Sequence, residues 1–270
     1  MEGNDCYKFS TVNRYLAATG GKPVELVLDV GCNLGEMSAE MKERFPQARI
    51  FAFEPLPEYY DRSAERFARD PRVTVLNLAV CGLHQFHDDF GERRRDEPAG
   101  LELHKSLEYV GASAVFEADT PPHSSRIKLE APCAALSLDA VVAMALAETG
   151  RGEIDYLKMD CEYCEHHSLG CARPETLRRI RFIGGEYHGV ERFHRVMKAR
   201  LFPTHYVNLV GNRHQGSFFC ERIGEERTML RTDRDGMLVE RPELSDSPID
   251  WHAFREEFVA REEWGSHGLE

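Results

Sequence analysis

The chain contains a strand-to-helix turn marked by two glycines, and an acid follows the turn at the end of the next strand. Gly31 and Gly35 lie between an apolar run at 25–30 and a helix-compatible run at 36–45. Glycines at such a turn let backbone N–H groups approach a ligand closely. Glu54 stands where a carboxylate can accept hydrogen bonds from both hydroxyls of a ribose. The glycine turn alone is also compatible with a structural turn, whereas the pair predicts an adenosine site.

The third glycine of a dinucleotide fingerprint is absent. Ser38 occupies that position, three residues after Gly35. A larger residue there disfavours close packing of the helix against a pyrophosphate. The pattern therefore favours an adenosine ligand without a diphosphate and disfavours a nicotinamide dehydrogenase.

Acids and a histidine follow two later predicted strands. Asp160 and Glu162 come after the apolar run at 154–159, and Glu186 and His188 end the next strand. Carboxyl ends of parallel strands share one edge of a sheet, where ligands bind. The ordinary pKa of histidine makes His188 the first candidate for removing a hydroxyl proton, with Asp160 as the fallback base. Solvated carboxylates, a helix-capping histidine, or a hard cation on the carboxylates are the alternatives.

Five residues of types that bind soft metals lie close together: Cys161, Cys164, His166, His167 and Cys171. Tetrahedral zinc uses such side chains. Their spacing is not that of a recognised zinc finger, and a helix would place Cys161 at its start rather than on the face shared by Cys164 and His167. We interpret the cysteines as structural thiols and expect no bound zinc.

Strands alternating with helices position these residues. This order predicts an α/β fold with right-handed crossovers and a mainly parallel sheet. The predicted strands are at 25–30, 49–53, 73–77, 126–132, 154–159, 181–187, 204–209 and 217–222, and the predicted helices are at 36–45, 57–69, 137–148 and 190–202.

Three segments flank or interrupt a predicted domain at 24–222. Residues 1–23 are predicted as an N-terminal helical segment. Glycines and prolines separate short apolar pieces at 81–125, which predicts an inserted lid or substrate loop. Residues 223–270 are polar apart from a helix-compatible run at 249–263, which predicts a C-terminal arm.

The chain is acidic, with 34 Lys and Arg against 46 Asp and Glu and a formal net charge of -12. This charge disfavours nucleic acid as a partner. Without an N-terminal apolar core or a run of about 20 apolar residues, we expect a cytoplasmic protein with no membrane partner. In that compartment we expect thiols, metal ligands or packing residues rather than disulfides.

Four blocks resemble the FkbM-type methyltransferase family: LDVGCNLG at 28–35, FAFEP at 51–55, NLAV at 77–80 and IDYLKMDCE at 154–162. The Leu138-Asp139 pair fits the same resemblance, which covers roughly 24–190. It implies a class I methyltransferase fold, with a Rossmann-like, mainly parallel seven-stranded sheet and helices on both faces. It also implies S-adenosylmethionine as methyl donor and O-methylation of natural products or sugars.

The same resemblance implies nine donor-site residues: Asp29, Gly31, Cys32, Asn33, Gly35, Glu54, Pro55, Ala79 and Val80. The glycine loop would line the methionine and ribose portions, the acid would hold the ribose, and the last two residues would lie near the adenine. Two residues depart from the family pattern, because Cys32 replaces a commonly small residue and Tyr163 replaces a usual glycine.

These observations predict an S-adenosylmethionine-dependent O-methyltransferase acting on a hydroxyl of a small molecule, natural product or sugar. A non-catalytic regulatory or scaffold protein that binds S-adenosylmethionine is the alternative, because an intact donor site does not separate the two. Detection of the demethylated donor as a product would separate them.

Overall fold

The computed structural model describes residues 23–81, 101–106, 114–117, 126–129, 134–162, 164–211, 215–223 and 237–239. The strands are β1 (Leu26–Val30), β2 (Arg49–Phe53), β3 (Val73–Leu76), β4 (Ala79–Val80), β5 (Leu101–Ser106), β6 (Ala114–Glu117), β7 (Arg126–Leu129), β8 (Ala135–Leu136), β9 (Ile154–Met159), β10 (Ile180–His188), β11 (His205–Gly211), β12 (Gln215–Arg222) and β13 (Met237–Val239). The helices are α1 (Glu36–Arg44), α2 (Pro57–Phe67), α3 (Leu138–Thr149), α4 (Cys164–Cys171), α5 (Pro174–Leu177) and α6 (Val190–Val196), which continues into a π-helical turn (Met197–Leu201).

One large sheet organises the described residues. Its strand order is β13-β11-β12-β10-β9-β1-β2-β3. The five strands from β10 to β3 pair in parallel, and β12 runs antiparallel to both β10 and β11. The prediction of a Rossmann-like, mainly parallel α/β fold is confirmed. Seven strands come from the predicted domain, and β13 adds an eighth at the edge next to β11.

Alternate residues of each strand pack on opposite faces of this sheet. Leu28 and Leu157 belong to a large core cluster that includes residues of α3, α4 and α6. Val27 and Tyr156 belong to a second cluster that includes residues of α1 and α2. Successive side chains of a strand point to opposite faces, so these two clusters lie on opposite faces of the sheet. Each cluster includes helix residues, and helices therefore cover the sheet on both sides, as predicted.

The predicted strand at 126–132 lies in a different sheet from the one expected. We expected it to resume the alternation of the main sheet, but Arg126–Leu129 pairs antiparallel with β5 in a separate sheet of order β6-β5-β7. Its apolar alternation specifies a strand without specifying the partner, which explains the error. Two strands of this sheet come from the predicted insert at 81–125, whose remaining residues after 81 lie outside the described ranges.

The predicted terminal segments are described only in part. Residue 23 alone represents the predicted helical segment at 1–23, and residues 223 and 237–239 represent the predicted arm at 223–270. The predicted helix at 249–263 lies outside the described residues. None of the helices in the described ranges combines the length and apolar character needed to cross a bilayer.

Candidate active site

The loop between β1 and α1 has a backbone that favours glycine. Gly31, Asn33 and Gly35 have φ values of 74°, 51° and 76°. The N–H groups of Gly31 and Cys32 both donate to the Phe53 carbonyl at 3.0 Å, which joins the loop to the end of β2. A Cβ on Gly31 would lie 1.9 Å from the Asp160 carbonyl oxygen. This loop therefore needs glycine both for its conformation and for its contact with the end of β9.

Glu54 closes the other side of the loop. Its side chain is buried, and Oε2 accepts from the Asn33 N–H while Oε1 accepts from the Leu56 N–H, each at 2.9 Å. Burial raises the pKa of Glu54 to about 7, although these two N–H groups act in the opposite direction. An ionised carboxylate offers about four acceptor positions. Capacity for two hydroxyl donors therefore remains.

A buried ion pair between Asp29 and Lys158 holds the glycine loop. Asp29 is completely buried, with Oδ1 3.0 Å from Lys158 Nζ, and Ser38 Oγ donates to Oδ2 at 2.6 Å. Lys158 Nζ also donates to the Gly31 carbonyl at 2.7 Å. Burial alone would lower the pKa of Lys158, but the charges of Asp29 and Asp160 raise it to about 12. Asp29 thus holds the loop through Lys158 and Ser38, and both of these partners are absent from the sequence-based site.

Cys32 and Pro55 flank the same loop. Cys32 is buried, its Sγ lies 3.6 Å from Ser63 Oγ, and burial raises its thiol pKa well above the usual range. The carbonyl of Pro55 accepts from Asn77 Nδ2 at 3.1 Å. At neutral pH the Cys32 thiol is therefore neutral, and both residues contribute packing and loop shape.

Ala79 and Val80 form β4, which pairs in parallel with β8. Both are buried in the large core cluster, and the Val80 carbonyl accepts from Ser168 Oγ at 2.7 Å. Their placement near an adenine stays a prediction.

His188 and Glu165 form a buried pair across β10 and α4. Glu165 is completely buried, and its Oε1 accepts from the His188 backbone N–H at 2.9 Å. The same oxygen lies 3.0 Å from His188 Nδ1. The other ring nitrogen, Nε2, lies 3.4 Å from Glu162 Oε2. The predicted base thus has one nitrogen held by an acid and the other directed toward the turn after β9.

The surrounding acids keep His188 charged. Burial alone would lower the pKa of His188, but the hydrogen bond and charge of Glu165 raise it. The charges of Glu162 and Glu186 raise it further, and the resulting pKa is about 9. His188 is therefore mainly an imidazolium at neutral pH. By contrast, burial lowers the pKa of His205 to about 4, so that histidine is neutral.

The other two base candidates from the sequence, Glu186 and Asp160, lie near different groups of the site. Glu186 acts on His188, whereas the charge of Asp160 acts on Lys158. The backbone N–H of Asp160 donates to the Val30 carbonyl at 3.0 Å, which ties β9 to β1 beside the glycine loop. Glu165, the acid in closest contact with His188, was missed because it lies 23 residues earlier and no local pattern links them.

The cysteine-rich turn differs from the prediction. Cys161 and Cys164 form a disulfide, with their Cα atoms 5.4 Å apart, so the expectation of thiols is wrong for this pair. The turn after β9 brings the two Cα atoms within disulfide range, which an argument from cell compartment cannot foresee. Cys171 is not disulfide-bonded. Across the described ranges, no group of three or more His, Cys, Asp or Glu side chains is arranged to hold a metal. The expectation of no bound zinc stays a prediction, and Tyr163 lies outside the described residues.

Known proteins resemble this chain in sequence. It is 25% identical over 184 residues to the 2-O-methyltransferase NoeI of Sinorhizobium fredii, covering 67% of this chain and 70% of that protein. It is 28% identical over 254 residues to the AMB antimetabolite synthetase AmbE of Pseudomonas aeruginosa, covering 86% of this chain and only 11% of that protein. The methyltransferase sdnD of Sordaria araneosa is 39% identical over 57 residues, which cover 21% of this chain and 22% of that protein.

Solved structures include similar chains at low identity. The METTL16 methyltransferase domain has a TM-score of 0.46 and 8% identity, covering 82% of this chain and 70% of that one. Precorrin-6y C5,15-methyltransferase from Geobacter metallireducens has a TM-score of 0.40 and 9% identity, covering 82% of this chain and 96% of that one.

The family comparison is specific to the region that carries the site. The methyltransferase FkbM domain matches residues 29–203, which is more than half of the chain and includes the glycine loop, Glu54, Glu165 and His188. The resemblance inferred from the four sequence blocks is thereby confirmed, and the chain belongs to the FkbM methyltransferase family.

Proposed function

We propose that this chain is an S-adenosylmethionine-dependent O-methyltransferase acting on a hydroxyl group of a small molecule, natural product or sugar. The observation that carries the proposal is the meeting of two groups of residues at one sheet edge. The glycine loop lies against the Asp160 carbonyl at the end of β9, and the turn that follows Asp160 brings Glu162 to His188. Because the donor loop and the titratable cluster lie at one sheet edge, a methyl donor and a hydroxyl acceptor could bind there side by side, as methyl transfer requires.

The residues of the loop fit the donor. Glu54 has acceptor capacity for the ribose hydroxyls beyond its two backbone N–H partners. Asn33 Oδ1 is buried and has no hydrogen-bond partner within the described part of the chain, so it can accept a hydrogen bond from an N–H group of S-adenosylmethionine. When bound, S-adenosylmethionine supplies a methyl group already activated on a sulfonium. Lys158 and Asp29 hold the loop through their ion pair and the hydrogen bond from Lys158 to the Gly31 carbonyl.

The acceptor side needs a group that removes a hydroxyl proton. His188 takes that proton at Nε2, while Nδ1 keeps its hydrogen bond to Glu165. Only the neutral ring can do this, and a pKa of about 9 leaves about 1 ring in 100 neutral at pH 7. The proposed base is therefore fully available only in alkaline solution. Asp160, beside the glycine loop, is the second candidate for the base.

The relatives support oxygen as the methylated atom. NoeI is named a 2-O-methyltransferase, and the alignment covers 70% of it. AmbE says nothing about the acceptor, because this chain matches only 11% of its length. The net charge of -12 disfavours nucleic acid as the acceptor.

Transfer of a labelled methyl group tests the proposal. The protein is incubated with methyl-labelled S-adenosylmethionine and a panel of hydroxylated metabolites and glycosides, and labelled products are separated and their methylated atoms assigned. We expect an oxygen-linked methyl group on at least one acceptor, and Glu54→Ala as the matched control should transfer less at limiting donor. Transfer to nitrogen or carbon would contradict O-methylation. Donor binding without any transfer would favour a non-catalytic donor-binding protein.

A further inference from the structure

Glu165 makes an unusual two-point contact with one residue. Its Oε1 accepts from the backbone N–H of His188 at 2.9 Å and lies 3.0 Å from Nδ1 of the same residue. Glu165 is 0% exposed, and its Oε2 has no hydrogen-bond partner among the described residues. A buried carboxylate loses several kcal/mol of hydration unless it is paired. The contact with His188 is therefore the interaction that offsets the burial of Glu165.

Other charged groups around His188 do not repeat this contact. Glu162 approaches Nε2 at 3.4 Å from the turn before α4, and Glu186 lies on β10 itself and acts through its charge. On α4, His166 Nε2 contacts the His188 carbonyl and lies 3.5 Å from Glu165 Oε1. Among these groups, Glu165 is the one placed to hold the Nδ1 side of the ring.

We propose that Glu165 is a positioning residue for the methyl transfer, holding His188 by its backbone N–H and by Nδ1 so that Nε2 faces the acceptor hydroxyl. This inference rests on the proposed function. A neutral imidazole has one N–H and one lone pair. When Nδ1–H donates to Glu165, the lone pair is on Nε2 and can take the proton of the acceptor hydroxyl. The imidazolium that then forms lies next to the Glu165 carboxylate.

The tautomer of His188 tests the inference without any turnover. Long-range ¹H–¹⁵N spectra of full-length protein labelled with ¹⁵N-histidine report the protonation of each ring nitrogen, and the His188 signal is assigned by its loss in His188→Gln. Above its pKa we expect the wild-type ring to carry its proton on Nδ1. A neutral ring protonated on Nε2 overturns the inference, and this result needs no variant of Glu165.

Removing the charge of Glu165 tests its effect on the ring. Glu165→Gln keeps an oxygen that can accept both N–H groups, so we expect the position of the ring to persist while its pKa falls by about 1 to 3 units. Glu175→Gln, at an exposed position of α5, should leave the pKa of His188 unchanged. An unchanged His188 pKa in folded Glu165→Gln overturns the inference. If that variant does not fold, the nitrogen that carries the proton in the neutral wild-type ring decides the inference alone.

The pH profile of turnover links the pair to the reaction. In Glu165→Gln the alkaline rise of kcat should move to lower pH by the same shift as the pKa measured by spectroscopy. A merely structural role would lower kcat without moving the profile, and a profile that stays in place overturns the inference. If no acceptor is methylated by the wild-type protein, the proposed function fails while the spectra still decide whether Glu165 holds His188.

Discussion

The two halves of the candidate site are built in different ways. The donor half consists of the glycine loop, Glu54 and the buried pair below them, and its contacts are mainly backbone groups of adjacent elements. The acceptor half consists of the turn after β9, the start of α4 and the end of β10, and its contacts join titratable side chains.

This difference separates what each half can do. Backbone geometry fixes the shape of the donor half at any pH at which the protein is folded. The acceptor half changes charge with pH, because its central histidine has three acids acting on it. Donor binding should therefore depend on the fixed backbone of the glycine loop and on the charge of one side chain, Glu54, whereas turnover should depend on the protonation of His188.

The largest expected effect on the donor half comes from breaking its buried ion pair. Lys158→Met leaves the completely buried Asp29 without its cation, and we expect a loss of about 3 to 5 kcal/mol in the free energy of unfolding. Denaturant unfolding measures this loss. The exposed pair of Arg173 and Asp139 provides the control, since Arg173→Met should cost roughly 0 to 1 kcal/mol. Equal losses in both variants would contradict a role for the buried pair in holding the loop.

The next effect concerns the acceptor half. His188→Ala should reduce kcat about 10²- to 10⁴-fold and leave donor affinity nearly unchanged, because in the proposed reaction the ring acts only on the acceptor. In the wild-type protein, kcat should rise with pH through the His188 pKa of about 9. His188 also stabilises the fold below its ordinary pKa of 6.5, and this contribution is lost as pH rises through about 9.

Two variants separate His188 from other candidates. His205→Gln changes a buried, neutral histidine and should leave the pH profile of kcat in place. Asp160→Asn tests the second candidate base. Full activity of His188→Ala with an unmoved profile would remove His188 from the reaction, and loss of the profile in Asp160→Asn would assign the proton to Asp160.

Alanine at two glycine positions should separate the cost of backbone strain from the cost of a steric clash in the free energy of unfolding. Gly31→Ala combines a left-handed φ of 74° with a Cβ 1.9 Å from the Asp160 carbonyl oxygen, and we expect about 2 to 5 kcal/mol of destabilisation. Gly150→Ala has a φ of 67° with nothing within 4 Å of the added Cβ, so it should cost only about 1 to 2 kcal/mol. Denaturant unfolding compares the two, and equal costs would show that the contact with β9 is unimportant.

The remaining expected effect is on donor affinity rather than on stability or turnover. If Glu54 binds the ribose as proposed, Glu54→Ala removes charged hydrogen bonds worth about 1.5 to 3 kcal/mol each, and calorimetric titration with S-adenosylmethionine measures the loss. Because the ionised carboxylate is the stronger acceptor, wild-type affinity should increase as pH rises through the Glu54 pKa of about 7. Glu36→Ala, at the exposed start of α1, should bind the donor normally. Unchanged affinity in Glu54→Ala would exclude it from the donor site.

The donor half was the more predictable from sequence. Gly31, Gly35 and Glu54 lie on consecutive elements, so their spacing along the chain already reflects their proximity. Lys158 meets the Gly31 carbonyl across 127 residues, and only the parallel pairing of β1 with β9 brings them together.

The same limit applies to the acceptor half and to the sheet edges. The sequence predicts that His188 ends a strand, but it does not show that α4 carries Glu165 to it. Strand patterns also do not name their partners, which explains the unexpected places of β7 and β13. Long-range pairing is thus the physical reason for most of the differences.

The disulfide between Cys161 and Cys164 has a practical consequence for assays. It closes the turn that joins Asp160 to the helix carrying Glu165. A thiol reagent breaks such a bond by exchange: each protein sulfur gains a proton and becomes a thiol, while two thiols of the reagent are oxidised to a disulfide. Assays with and without dithiothreitol can therefore compare two covalent forms of this enzyme, and reductant concentration belongs among the controlled variables of every kinetic measurement on it.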